Sequence, residues 1–205
     1  MMYLIMCGGD YHTAEPKQLT VIKGETIVGR TIRLLKSLGV NDIVISSNNK
    51  RFEQFGVPVL HHTNNFGNGG HWLEAFYPSS EPICYLYGDV VYSEYALKTI
   101  VETETDSIQF FASAPPFDKR YFKTWAEPFA FKVVDTKLFR KCINTTLALA
   151  EQGVFYRDPI SWELWQVIKK TKLAEVDYTN YVVINDWTCD CDCAEDAAKL
   201  ESVIE

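Results

Sequence analysis

Through the first half of the chain, short apolar runs stop at glycine and alternate with helix-length amphipathic segments. Tyr3 to Cys7 is one such run, stopped by Gly8-Gly9, and Ile83 to Tyr87 is another, stopped by Gly88-Asp89. Between them, Thr26 to Leu38 keeps Ile27, Thr31, Leu34, Leu35 and Leu38 on one helical face and ends at Gly39. Ile43 to Ser46 and Val57 to Leu60 read as further strands, and Ser93 as the N-cap of the helix after Asp89. Strands alternating with helices imply crossover connections and a mostly parallel twisted sheet with helices on both faces. The fold class expected is α/β, with residues 1–205 as a single domain. In such sheets ligands bind at the carboxyl ends of the strands. Gly8-Gly9 and Gly88-Asp89 both follow strands directly, so that shared edge is the expected active site.

The second half is less regular. Ser107 to Ser113 and Phe129 to Val134 read as strands around an aromatic and basic loop, Pro115 to Pro128. Asp135 reads as the cap of a helix that Gly153 ends, and Asp158-Pro159 as the opening of another, with proline at its first position. Val182 to Ile184 is a further strand, and an amphipathic helix runs from Ala194. The net charge of −7 argues against nucleic acid or a membrane surface as a partner, because both need basic patches. It leaves room for a single nucleotide, held by a few placed cations and a metal. No stretch approaches the ~20 apolar residues of a membrane span, and no secretory leader is visible. Cys7, Cys84 and Cys142 sit in apolar contexts, as buried thiols do, so the expected compartment is reducing and cytoplasmic. Cys189, Cys191 and Cys193 lack the second distant pair that a structural zinc site uses, and read as small buried residues.

Several residue patterns carry chemistry. Gly8-Gly9 allows close approach of backbone amides to a phosphate, or simply a tight strand-to-loop turn. Pro16 stiffens the loop before Lys17, a cation suited to a triphosphate and to the charge that builds on a leaving pyrophosphate. Asp89, after Gly88, suits a turn. In the loop Lys119, Arg120, Tyr121, Phe122, Lys123 and Trp125, cations suit a phosphate and aromatic faces suit a sugar or a quaternary ammonium. The same residues also read as an aromatic cluster packed on the core. Asp192, three residues before Glu195, reads as the start of a capping box for the last helix. Asp158 reads as an N-cap, and His71 as the start of a helix over His71 to Phe76.

Cys7-Gly8-Gly9, then Pro16-Lys17-Gln18-Leu19, then Leu38-Gly39-Val40-Asn41-Asp42-Ile43-Val44-Ile45 resemble the opening of the sugar-phosphate nucleotidyltransferases. This family includes the phosphocholine and other cytidylyltransferases of the Rossmann-like, GT-A-type fold. Leu86-Tyr87-Gly88-Asp89 is similar to the family's magnesium-binding strand end. Asp190-Cys191-Asp192 with Glu195-Asp196 is similar to its C-terminal acidic signature. The resemblance implies that a phosphorylated sugar or alcohol attacks the α-phosphate of a nucleoside triphosphate and that pyrophosphate leaves. It implies Lys17, Asp89 and Asp190 as catalytic residues, with Mg²⁺ on Asp89 and Asp190. It places the nucleotide on Cys7, Gly8, Gly9, Thr13, Lys17, Asn68, Gly69, Gly70 and Gly88. The acceptor falls to Lys119, Arg120, Lys123, Trp125, Glu127 and Trp162. The base expected is cytosine, from CTP, ahead of UTP and dTTP. Where the family's opening loop carries an arginine, this one runs Asp10-Tyr11-His12-Thr13-Ala14-Glu15, which implies a weaker hold on the triphosphate. A glycosyltransferase of the same fold, using Asp190-Cys191-Asp192 as its metal motif, and a non-catalytic nucleotide-binding homologue are the two alternatives.

Overall fold

The computed structural model describes residues 1–8, 15–62, 71–113 and 126–204. In chain order its elements are β1 (Met2–Met6), β2 (Val21–Ile22), β3 (Glu25–Thr26), α1 (Ile27–Ser37), β4 (Ile43–Ser46), β5 (Val59–Leu60), β6 (Ile83–Tyr87), β7 (Val90–Val91) and α2 (Glu94–Glu102). The second half adds β8 (Ile108–Ala112), β9 (Pro128–Val133), α3 (Thr136–Glu151), α4 (Ser161–Lys169), β10 (Val182–Val183), β11 (Cys189–Asp190) and α5 (Ala194–Glu201). One seven-stranded sheet runs in the order β10-β8-β9-β6-β1-β4-β5, with only β9 antiparallel to its neighbours. It is therefore the mostly parallel α/β sheet that the alternation of elements implies.

The chain runs from β1 outward through β4 to β5 and then returns to pair β6 on β1's other side. A crevice opens where connections diverge in this way, between the carboxyl ends of β1 and β6. β1, β4 and β6 are buried at almost every position, as strands covered on both faces must be. The helices pack in pairs, α1 against α2 and α3 against α4. α1 buries a wider stripe than its periodicity suggests, with Val28 and Ile32 joining Ile27, Thr31, Leu34 and Leu35. The Thr26, Ser93 and Asp135 side chains each accept a backbone N–H at the start of α1, α2 and α3.

Three starts differ from the sequence pattern. His71 to Phe76 forms only a 3₁₀ turn, Trp72–Ala75, with the His71 N–H donating to Glu74 at 2.8 Å. α4 begins at Ser161, so Asp158 is not its cap and Pro159 is not its first residue. The acid at this start is Glu163, whose Oε2 accepts the Ile160 N–H at 2.9 Å. The Asp192–Glu195 capping box does not form either. Asp196 reaches back instead to accept the Asp192 N–H at 3.0 Å, and the Asp192 side chain pairs with Lys17.

The β1–β6 seam closes on a single glycine. The Gly88 N–H donates to the Met6 carbonyl at 3.1 Å. A Cβ on residue 88 would lie 2.4 Å from that same oxygen and 2.8 Å from the Cys7 sulfur. Backbone cannot yield there as a flexible side chain would. Gly88→Ala is expected to destabilise the protein by about 1–3 kcal/mol or more, read as a fall in Tm on thermal denaturation.

Candidate active site

A cavity of about 230 Å³ opens at the β1/β6 crevice. Met6 and Gly8 reach it from the end of β1, Ser46 from β4, His62 from beyond β5, and Tyr87, Asp89 and Val90 from the end of β6. Glu127 and Pro128 enter at the start of β9, which runs the other way and so presents its first residues at this edge. Trp72, Ala75, Gln18, Ile160, Ser161 and Asp190 complete the lining.

Asp190 arrives from nearly the far end of the chain. β11 pairs antiparallel with β7, with Asp190 opposite Val90 and Cys189 opposite Val91, and the Cys191 N–H donates to the Asp89 carbonyl at 2.9 Å. This short ribbon puts Asp89 and Asp190 on one cavity. The Lys17 ammonium stands beside them and pairs with Asp192 at 2.7 Å. Burial works to lower the Lys17 pKa. The hydrogen bond to Asp192 and the charges of Asp192, Asp89 and Asp190 outweigh it and hold the ammonium above its ordinary value. Lys17 is therefore a fixed cation among three carboxylates. Asp192, read from the sequence as a capping residue, is its direct partner; the signal was its spacing of two from Asp190 on the same extended segment.

On the other side, the Tyr87 hydroxyl and the Ser161 hydroxyl share a 2.5 Å hydrogen bond beneath the start of α4. Burial raises the Tyr87 phenol well above its ordinary range, and the Asp89 charge adds to that, so Tyr87 is a neutral wall. The main chain of Glu127 is pinned by Ser113, whose hydroxyl accepts the Glu127 N–H at 2.8 Å and whose N–H donates back at 2.9 Å. Arg51 pairs with Glu15, which sets a guanidinium at the end of the opening loop.

The structure thus gathers Gly8, Asp89, Glu127 and Asp190 on one cavity with Lys17 at its side. Cys7 and Gly88 do not line it; they are buried in the seam between β1 and β6. Trp162 does not line it either. At 2% exposure it packs edge-on against Phe110, Tyr178 and Tyr181, so it is core, and its neighbours Ile160 and Ser161 form the wall instead. Gly9, Thr13, Asn68, Gly69, Gly70, Lys119, Arg120, Lys123 and Trp125 lie outside the described residues. Ser46, His62 and Trp72 were not singled out in the sequence, although the end of β4 shares an edge with Gly8. Cys189 and Cys191 are buried in a second apolar cluster, whereas Cys193 is exposed.

Among the described residues no group of three or more histidine, cysteine or acidic side chains is placed to hold a metal ion. Asp89 and Asp190, two carboxylates lining one cavity, fit Mg²⁺, which is commonly bound by one or two carboxylates, substrate phosphates and water.

No family model matches the sequence, and no curated protein sequence matches it. Its structure does match solved ones. One is a 4-diphosphocytidyl-2C-methyl-D-erythritol synthase from Anaerococcus prevotii, 13% identical over 98% of this chain and 94% of that one, with a TM-score of 0.57. A second is CTP:phosphocholine cytidylyltransferase from Streptococcus pneumoniae, 13% identical over 100% and 99%, with a TM-score of 0.56. A third is HddC from Yersinia pseudotuberculosis in complex with GMP-PN, 16% identical over 98% and 97%, with a TM-score of 0.58. The chain shares the fold of these proteins over 98–100% of its length. No helix among the described residues is long and apolar enough to cross a membrane.

The cavity wall at α4 depends on Glu163, which is 2% exposed and accepts both the Ile160 N–H and the Arg157 guanidinium, the latter at 2.7 Å. Glu163→Ala leaves both donors unmet. It is expected to cost about 1–3 kcal/mol in thermal denaturation, whereas Glu163→Gln, which keeps an acceptor, costs less.

Proposed function

We propose that the chain is a nucleotidyltransferase. It moves a nucleoside monophosphate from a nucleoside triphosphate to a phosphorylated sugar or small alcohol. One observation carries the reading: Asp89 and Asp190 share a single cavity at the β1/β6 crevice, with the Lys17 cation beside them. A phosphate oxygen of the acceptor attacks the α-phosphorus, the bond to the β-phosphate breaks, and pyrophosphate takes the departing electron pair. The nucleophile is already an anion, so no strong general base is required. Positioning and charge neutralisation do the work. Lys17 leaves Asp192 for the phosphates and meets the charge that accumulates on the leaving pyrophosphate. Asp89 and Asp190 would hold Mg²⁺, which when bound neutralises phosphate charge as a Lewis acid. Gly8 gives the phosphates access to backbone at the end of β1, and Glu127 offers a carboxylate to acceptor hydroxyls.

CTP is the triphosphate we favour, ahead of UTP and dTTP. Two of the similar structures are named for cytidylyl chemistry, and the third, held with a guanine nucleotide analogue, marks the base as open to variation on this fold.

Purified protein with Mg²⁺, a phospho-acceptor panel and CTP, UTP, dTTP, ATP or GTP in turn is expected to release pyrophosphate, most with CTP. Consumption of a sugar nucleotide with no pyrophosphate from any triphosphate would assign it to glycosyl transfer instead. Asp89→Asn and Asp190→Asn are each expected to lower kcat on the order of 100-fold or more while leaving Tm nearly unchanged. Full turnover in either variant removes that residue from the site.

A further inference from the structure

Gln18 carries a buried polar atom that the described residues leave without a hydrogen bond. It is 3% exposed, and its carbonyl oxygen Oε1 is buried with no hydrogen-bond partner among the described residues. It lines the cavity together with Asp89, Asp190 and Glu127. The turn that carries it does not use the amide: the Leu19 N–H donates to the Pro16 carbonyl and the Thr20 N–H to the Lys17 carbonyl, each at 2.9 Å, which closes the turn through backbone alone. A buried acceptor with no donor weakens a fold, and an apolar side chain of the same length would fill the place without that penalty. An amide kept there points to a second state in which the oxygen is satisfied.

We infer that Gln18 is a specificity-determining residue. Its Oε1 accepts a hydrogen bond from a hydroxyl or ring N–H of the substrate seated in the cavity. The identity of the substrate rests on the transferase reading above. An acceptor oxygen has no use for a phosphate, which at neutral pH carries mostly oxygens of the same kind. Gln18 reads the neutral part of the molecule. Adjacent residues of one turn then divide the substrate: Lys17, half-exposed and beside the aspartates, takes the charge, and Gln18, turned inward, takes the ring. The size of the cavity agrees. About 230 Å³ is less than the ~300–1,000 Å³ of a whole-ligand pocket, so it accommodates one ring rather than an entire nucleotide. Trp72 adds an apolar wall, and Ser46 lines the cavity beside it.

That ring belongs either to the nucleoside of the triphosphate or to the acceptor, and Gln18→Met distinguishes them. Steady-state kinetics with each substrate varied in turn are expected to show KM raised about ten-fold or more for the substrate that donates, and within about two-fold of native for the other. The native chain is expected to discriminate against an analogue of that substrate lacking the donor, and Gln18→Met to lose the discrimination. Unliganded Gln18→Met is expected to melt higher than the native chain, by about 2–4 °C, because the orphaned oxygen is gone. Native KM for both substrates together with a lower Tm marks the amide as a structural element and overturns the assignment, while leaving the transferase reading intact. A native chain that releases no pyrophosphate overturns that reading. In that case thermal shifts with uncharged nucleosides and acceptor alcohols test Gln18 on their own, and shifts equal in the native chain and Gln18→Met overturn its role.

Discussion

The antiparallel pairing of β7 with β11 ties the tail of the chain to the end of its central strand. β6 runs through Tyr87, turns at Gly88-Asp89 and continues as Val90–Val91, where Cys189 and Asp190 lie alongside. Without this pairing the sheet still presents Gly8 and Asp89 at one edge, but Asp190 and Asp192 have no reason to be near them. The ribbon is only two residue pairs long, too short to hold by backbone hydrogen bonds alone. Its stability comes from the apolar cluster of Ile22, Ile27, Val91, Cys189, Cys191, Leu200 and Ile204. That cluster joins the β2–β3 hairpin, the start of α1, the ribbon and α5.

The same cluster positions Lys17. The turn that holds Lys17 runs directly into β2, and Ile22 of β2 is part of the cluster. Both ends of the Lys17–Asp192 ion pair are thus mounted on one packed unit, although 175 residues separate them in sequence. An exposed pair of this kind adds little to stability. Its role is geometric, since it fixes where a cation waits.

Much of this was legible in the sequence and part was not, for identifiable reasons. The ends of β1 and β6 announced themselves because buried apolar runs stop at glycine, and Gly88 proves to be there for a close approach rather than for a turn angle. Ser93 and Asp135 marked helix starts through local hydrogen-bond chemistry that needs no tertiary information, and α1 and α5 showed through their amphipathic patterns. The start of α4 was misplaced because Pro159 at a first helical position is only a propensity, and the buried Glu163 holding the Ile160 N–H overrides it. Asp192 was misread because Glu195 and Asp196 both stand within reach of the same backbone, and spacing alone does not say which acid turns back. Trp162, expected among the acceptor residues, lies on the side of α4 that faces the aromatic core. The β7–β11 ribbon has no periodicity to read. Asp190 came from resemblance, and the pairing is what gives it a physical place.

The charge balance around Lys17 sets a condition on any ligand. One ammonium faces Asp89, Asp190 and Asp192, so the local sum is negative before a substrate arrives. Two like charges ~4 Å apart repel by about 4 kcal/mol at an effective dielectric constant near 20, and a polyphosphate brings several charges at once. Lys17 alone does not offset this, and the Arg51 guanidinium near the opening loop is engaged by Glu15. A divalent cation between a triphosphate and these carboxylates would lower that barrier. An uncharged ring meets no such barrier. On the role inferred for Gln18, recognition in this crevice divides into two problems with different physics: charged groups whose occupancy depends on counter-ions, and a neutral ring read by an amide.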